Sequence, residues 1–439
     1  VACFGYDRSA QGIGIVHFGI GAFHRAHQAW YTDAAMNAGE RNWMITGVSL
    51  RSGDVADQLN PQDGLYTLSE CSAAGCKSRV IGSVANVLVA SREPDAVVAA
   101  LAAPGTHIAS FTITEKGYCR AADGSLDMAQ ASEGSIYRLL AQGLRQRSDA
   151  GLPGLTLLSC DNLAENGQQL DRLMREYLAQ QDPALLDWYA EYCACPQTMI
   201  DRIVPATTEQ DRSAVASANG LTDLGAVMTE PFSQWVIEDR FAGPRPHWEI
   251  YGANLVSDVA PFETAKLRML NGAHSLLAYC GLQHGYTYVH EAIADPHLRT
   301  LVDQLMLQEA APTIAAAAEQ NLAAYAASLI KRFANPALNH RLIQIAMDGS
   351  QKIPQRWLET LAANRVLGRD CPAILSGLSA WLTHISGVNG PVDDPLADHF
   401  AKLWEKASRA DFAEALFGNR GLLGGDWNLD EAERASIAA

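Results

Sequence analysis

The sequence predicts an α/β fold with a doubly wound, mostly parallel sheet in its N-terminal part and a mainly α-helical C-terminal domain. Three observations carry this reading. A short β-branched run at 14–18 opens directly into a glycine turn at Gly19 and Gly21 and then into a helical stretch. Apolar strand-like runs and Ala/Leu-rich helical runs then alternate to about residue 180. From about residue 259 the strand candidates give way to long helical runs. A chain of 439 residues also exceeds one ordinary core, so two domains are expected, at 1–258 and 259–439.

The first strand ends at Gly19-Ile20-Gly21-Ala22-Phe23-His24-Arg25-Ala26-His27. Glycines at 19 and 21 permit a tight turn and a close approach of backbone N–H groups to a pyrophosphate. Strand, glycine turn and helix in that order open a dinucleotide-binding, Rossmann-like fold. His24 stands where a third glycine is usual, so the turn alone fits a plain βα connection equally well. A second strand reads 43–50, and no acid follows it to take a ribose. Arg51, Ser52 and Asp54 follow instead, which leaves NAD and NADP unseparated, with Arg51 compatible with a 2′-phosphate. Further strands are expected at 78–89, 107–114 and 155–160, and helices at 95–103, 134–147 and 167–180.

Two of these strands end in polar clusters, Thr114-Glu115-Lys116-Gly117-Tyr118 and Cys160-Asp161-Asn162. Ligands of open α/β sheets bind beyond the carboxyl ends of the strands, so both clusters are site candidates. Glu115 and Lys116 also suit a turn with a solvated ion pair. Asn162 directly follows an apolar strand, where an amide can offer an N–H to a developing alkoxide, although Asn is also a common turn former.

The helical part is expected to comprise 266–280, 297–331, 356–363, 372–384 and 396–417, with an alanine-rich tract at 310–328. Its first stretch places Glu263, Lys266, Asn271 and His274 within an arc of roughly 140° at about 100° per residue of α-helix. A lysine beside uncharged donors and partly out of water is a plausible base near neutral pH. The plainer alternative is a solvated Glu–Lys pair three residues apart.

Asp and Glu outnumber Lys and Arg by 49 to 33, a formal charge of −16 that repels phosphate backbones, so no nucleic-acid partner is expected. The composition, 48% hydrophobic and 19% charged, is that of a soluble globular protein. No run approaches the roughly 20 apolar residues that span a bilayer, and no basic segment with an apolar core opens the chain. No membrane association and a cytoplasmic location are therefore expected. The nine cysteines form no regular framework, which suits a reducing compartment. Cys71 with Cys76 and Cys193 with Cys195 depart from zinc-ligand spacings, so no metal is expected.

Taken jointly, the segments 19–27, 112–118, 159–162, 201–205, 230–232 and Lys266 through Asn271 to His274 resemble the polyol-specific long-chain dehydrogenases, the mannitol dehydrogenase family. Segments 159–162, 234–239, His340-Arg341 and 347–356 look most like its fructuronate reductase, or D-mannonate oxidoreductase, branch. The resemblance implies a zinc-independent secondary-alcohol dehydrogenase using NAD, with NADP also admitted and no metal. It implies Lys266 as general acid/base, Asn162 and Asn271 as an amide pair around the reacting oxygen, and His274 as a substrate-orienting partner. Asp201 would touch substrate hydroxyls, and Glu263 would link the lysine to solvent protons. Val16, Phe18, Gly19, Gly21, Ala22, Phe23, His24, Arg51, Asp54, Thr114 and Glu115 would line the cofactor. The family itself carries Phe-His at this turn, so His24 is in pattern.

A sugar acid needs a cation for its carboxylate, and Arg341, Lys352 and Arg356 are candidates, although surface charges are the plainer reading. Mannitol or arabinitol would need only hydroxyl partners. A catalytically silent dinucleotide-binding protein would have lost the lysine or its amides, and all are present. The expected partner is a small sugar acid or polyol, bound in a cleft between domains of a monomer or small homo-oligomer.

Overall fold

The computed structural model describes residues 1–132, 134–337, 339–405, 407–425 and 427–438. It divides into two compact units, Val1–Val259 and Ala260–Ala439.

The first unit is built on a five-stranded sheet of β1 (Ile13–Phe18), β2 (Met44–Ser49), β5 (Val84–Val89), β6 (Ile108–Phe111) and β7 (Thr156–Ser159). Its order is β5-β2-β1-β6-β7 and every pair is parallel. Near-continuous apolar runs follow, because a parallel sheet is covered on both faces. Helices Pro94–Ala102, Ile136–Asp149 and Asn166–Gln181 supply covering layers, with Val97, Leu101, Leu140, Leu144, Leu170 and Leu173 wholly buried. Chain order reverses between β1 and β6, so the carboxyl ends of those strands flank the crevice where such folds bind ligands.

The predicted strand at 78–89 is two strands, β4 (Gly75–Ile81) and β5, separated at Gly82-Ser83. β4 forms a hairpin with β3 (Tyr66–Ser72), and β9 (Val227–Thr229) completes a second sheet of order β4-β3-β9. β8 (Thr198–Asp201), β10 (Gln234–Glu238) and β11 (Asn254–Val256) make a third. The odd cysteine count conceals one pair: Cys71 and Cys76 face each other across β3 and β4 and are disulfide-bonded. These two therefore depart from the reduced thiols expected of the sequence.

The second unit is helical, packed around Gly272–Gln283 and Pro372–Ile385, with Trp357 and Trp381 fully buried. The helix expected at 297–331 is broken. Pro296–Gln304 runs into a π-helical turn, Leu305–Ala310, and a short 3-10 turn, Ala311–Thr313. Ile314 is extended, and helix resumes only where the Asn321 side chain accepts the Ala324 N–H to cap Leu322–Phe333. Alanine's high helix propensity does not carry the tract across that gap, since Pro312 offers no N–H. The stretch at 396–417 is likewise two helices, Ala397–Trp404 and Arg409–Phe417, the second begun by a Ser408/Asp411 capping box. Among the described residues no helix is long and apolar enough to cross a membrane.

Candidate active site

At the end of β1, Gly19 takes φ +92°, and a Cβ there would collide with the Thr112 carbonyl. The turn closes on itself: Gly19 N–H donates to the Val48 carbonyl at 2.8 Å and Gly21 N–H to the Gly19 carbonyl at 2.6 Å. A Cβ at Gly21 would meet nothing closer than 3.8 Å, so the outer side of the turn is open to a close-approaching ligand. Helix Ala22–Ala26 follows. His24, expected to line the cofactor, instead points inward at 1% exposure and stacks on His17 with ring centroids 3.4 Å apart. Val16 and Phe18 are wholly buried, so their side chains belong to the core and only their backbone borders the crevice.

Beyond β2 and β5 lies a cavity of about 570 Å³ whose lining includes Leu50, Arg51, Ala90, Ser91, Lys116 and Ile136. Its size and its place at the carboxyl ends of the strands suit the adenosine half of a dinucleotide. Arg51 is exposed there, and Ser91 Oγ donates to its carbonyl at 3.2 Å. Asp54, at the start of helix Asp54–Leu59, is exposed and outside that lining, as are Thr114 and Glu115.

Thr114 takes φ +62°, a conformation that needs external support. Asp161, at the end of β7, supplies it by accepting the N–H groups of Ile113 at 3.0 Å and Thr114 at 2.9 Å, and the Tyr118 hydroxyl at 2.9 Å. Burial raises the Asp161 carboxyl pKa, and these donors oppose the rise. Asn162 follows directly and is exposed. Asp161 stood in the sequence only as one member of a polar cluster, because its role depends on partners more than 40 positions away. Asp161→Ala is expected to cost about 2–4 kcal/mol by orphaning buried donors; urea denaturation checks it, and a loss below about 0.5 kcal/mol would show that the clasp carries no stability.

Asp201 ends β8 at 8% exposure, opposite Gln234. The neighbouring Arg202 has a wholly buried side chain. It donates to the Glu230 carbonyl at 3.0 Å and to the Ala26 carbonyl, pairs with Glu70 at 2.5 Å, and lies over the Trp30 ring at 5.3 Å. Glu230 Oε1 in turn accepts the Ile203 N–H at 2.7 Å. Three sequence motifs, 19–27, 201–205 and 230–232, are thus tied together through Arg202, a residue noted in the sequence only as part of a motif.

In the helical unit the expected catalytic helix is not a straight α-helix. Ala260–Ala265 is α-helical, Lys266–Asn271 is π-helical, and Gly272–Gln283 is α-helical again. The wider i→i+5 turn invalidates the 140° arc, which assumed α geometry throughout. Lys266 now opens the wide turn and Asn271 closes it. Glu263, Lys266 and Asn271 are half-buried, whereas His274 is buried. Guanidinium groups hold both sides of the turn. Arg268 donates to the Thr313 carbonyl at 3.0 Å and hydroxyl at 2.8 Å; Arg356 donates to Ser275 Oγ at 2.8 Å and the Asn271 carbonyl at 3.4 Å.

His274 packs against Phe333 at 4.7 Å and edge-on to His340 at 5.3 Å between centroids. Burial holds its pKa well below the ordinary value, and His340, Arg332 and Arg356 push in the same direction. Arg356 is itself pushed down to about 10 by burial. The other cations lie differently: Lys352 donates to the Met347 carbonyl at 2.5 Å and stands 3.8 Å from Asp348, and Arg341 is exposed just before helix Leu342–Ile345. Of the three carboxylate candidates, Arg356 is the one whose charge acts on His274. Among the described residues no three His, Cys, Asp or Glu side chains gather as a metal site would require.

Comparison with known proteins matches the mannitol dehydrogenase Rossmann domain at residues 13–250 and the mannitol dehydrogenase C-terminal domain at residues 258–424. The chain is 40% identical to the uncharacterized oxidoreductase YeiQ of Escherichia coli K12, over 96% of this chain and 90% of that one. It is 39% identical to the D-mannonate oxidoreductase of the same organism, over 96% and 91%. Among solved structures, a substrate-free D-sorbitol dehydrogenase aligns with TM-score 0.91 at 31% identity, over 100% and 94% of the two chains. The Pseudomonas fluorescens mannitol 2-dehydrogenase ternary complex with NAD and D-mannitol aligns with TM-score 0.80 at 34% identity, over 100% and 92%. A glycine turn at the head of a parallel sheet, a lysine-bearing helical unit and both domain matches lead to one conclusion: the chain belongs to the mannitol dehydrogenase family, NAD(P)-dependent oxidoreductases acting on a CH–OH group.

Proposed function

We propose that this protein interconverts D-mannonate and D-fructuronate with NAD, NADP also being admitted by the residues that follow β2. The observation that carries the reading is the Arg356 guanidinium, which donates to Ser275 Oγ and the Asn271 carbonyl beside a His274 that burial keeps neutral. A neutral imidazole set among cations suits a substrate that brings its own carboxylate. The 39% identity to a D-mannonate oxidoreductase supports the same branch.

Bound, the dinucleotide supplies the hydride acceptor at the carbinol carbon. Lys266, in its neutral form, takes the hydroxyl proton during oxidation and returns it during reduction. Asn271 and Asn162 donate amide hydrogens to the oxygen as its charge grows. Glu263, one turn before the lysine, passes the proton onward to water, and His274 orients the substrate. Asp201 accepts from substrate hydroxyls. Of the three cations the sequence nominated, Arg356 is assigned to the carboxylate because it bonds to Asn271 and Ser275, whereas Lys352 donates to Met347 and Arg341 is exposed.

A polyol such as D-mannitol is the second reading, favoured by 36% identity to the Phaeosphaeria nodorum mannitol 2-dehydrogenase over 94% of this chain. Steady-state kinetics with D-mannonate and D-mannitol, each with NAD and NADP, separates the two. The expected kcat/KM favours mannonate by at least about tenfold, the order of one charge-assisted hydrogen bond. Preference for mannitol would replace the sugar acid with a polyol and leave the role of Lys266 intact.

A further inference from the structure

The glycine turn is held from behind by a line of polar side chains that the reaction itself does not use. Thr112 reaches across from the end of β6 and donates its hydroxyl proton to the Gly19 carbonyl at 2.7 Å. His17, wholly buried on β1, places Nε2 2.9 Å from that same hydroxyl oxygen and Nδ1 2.8 Å from Ser110 Oγ. Ser110 Oγ in turn lies 2.7 Å from Gln28 Oε1, on helix Gln28–Asn37, and the Gln28 amide can exchange its oxygen and nitrogen positions by a half-turn of its end group. The Gly19 carbonyl also accepts the Gly21 N–H, so its direction sets where the next backbone N–H groups of the turn point.

Counting protons along this line gives it a direction. The single Thr112 hydroxyl proton is committed to Gly19, so His17 Nε2 must be the donor to Thr112. Were Ser110 to give its proton to a Gln28 oxygen, Nδ1 would also have to donate, and the ring would be an imidazolium. Burial opposes that charge and pushes the His17 pKa down to about 3. A neutral ring has one N–H, so Ser110 donates to Nδ1 and Gln28 turns its amide nitrogen to Ser110. That nitrogen is otherwise a buried donor with no partner among the described residues. With this orientation every contact in the line is made at once, from Gln28 through Ser110, His17 and Thr112 to Gly19.

We propose that His17 is a positioning residue for the dinucleotide: as the Nε2–H tautomer it aims the Thr112 hydroxyl at the Gly19 carbonyl and so holds the glycine turn in its binding shape. This rests on the dinucleotide reading of the turn. The stacked His24 ring completes the device, because it docks the following helix on β1 where a third glycine would otherwise permit close approach. Two neutral rings stack without repulsion, and burial lowers the His24 pKa as well.

Thr112→Val removes the hydroxyl and keeps the shape, whereas Thr112→Ser keeps the hydroxyl and loses a methyl group. Fluorescence titration with NADH should show Val binding about tenfold weaker and Ser close to wild type, as expected for one lost buried hydrogen bond. The KM for NAD should rise with the Kd, with kcat at saturating NAD falling less than about threefold. His17→Phe should match Thr112→Val, and the double variant should be no weaker than either alone, since both break one line. Circular dichroism melts confirm that each variant is folded. Equal affinity for Val and wild type, or a Ser variant weaker than Val, would overturn the positioning role and leave only packing. If the wild-type protein binds neither NADH nor NADPH, it is the dinucleotide reading that fails.

Discussion

Lys266→Ala is expected to lower turnover in both directions by about 10² to 10⁴, the range supplied by a positioned acid/base, while leaving the Kd for NAD within about threefold of wild type. Loss in both directions follows from microscopic reversibility, because the group that takes the proton in oxidation returns it in reduction. Binding survives because the glycine turn and the cavity beyond β2 and β5 belong to Val1–Val259, whereas Lys266 belongs to Ala260–Ala439. Alanine is also the best helix former, so the half-buried start of the π-helical turn tolerates it. Single-turnover measurements with NADH separate this from slow product release. Rates within tenfold of wild type would remove Lys266 from the chemistry.

Asn162→Ala should lower kcat by about 10² to 10³, the cost of one missing donor to a developing oxyanion. Asn162 is exposed, so its truncation should change stability by less than about 0.5 kcal/mol. Asp161 stays in place and still holds the Thr114 turn through its own hydrogen bonds. A large kinetic effect with an unchanged urea midpoint is the expected signature. A rate within threefold of wild type would assign the second amide elsewhere.

The sheet was legible because buried parallel strands leave unbroken apolar runs, and the glycine turn because only glycine tolerates its close approach to Thr112. Lys266, Asn271 and His274 were legible as residue types but not as geometry. A change from i→i+4 to i→i+5 bonding over six residues leaves no periodic mark in the sequence. The third sheet escaped because β8, β10 and β11 are only three to five residues long; of the second, part of β4 was read within 78–89, while the seven-residue β3 and the three-residue β9 were not read. Arg202 could not be read because its partners Glu70 and Ala26 lie 132 and 176 positions away. The same holds for Arg356, which the sequence offered as one of three cations; its bonds to Ser275 and Asn271 place it at the π-helical turn. Lys352 competed equally on composition, yet its amine donates to the nearby Met347 carbonyl.

In the proposed reaction one carbinol carbon of a hexonate exchanges hydride directly with the dinucleotide while Lys266 exchanges the proton. Incubating D-fructuronate with NADH carrying deuterium at the transferred position, then isolating the product, tests this most directly. The expected product is D-mannonate with one deuterium, on the carbinol carbon, and none is formed by Lys266→Ala on the same timescale. Mannonate without label, or no mannonate alongside rapid labelled mannitol from D-fructose, would contradict it.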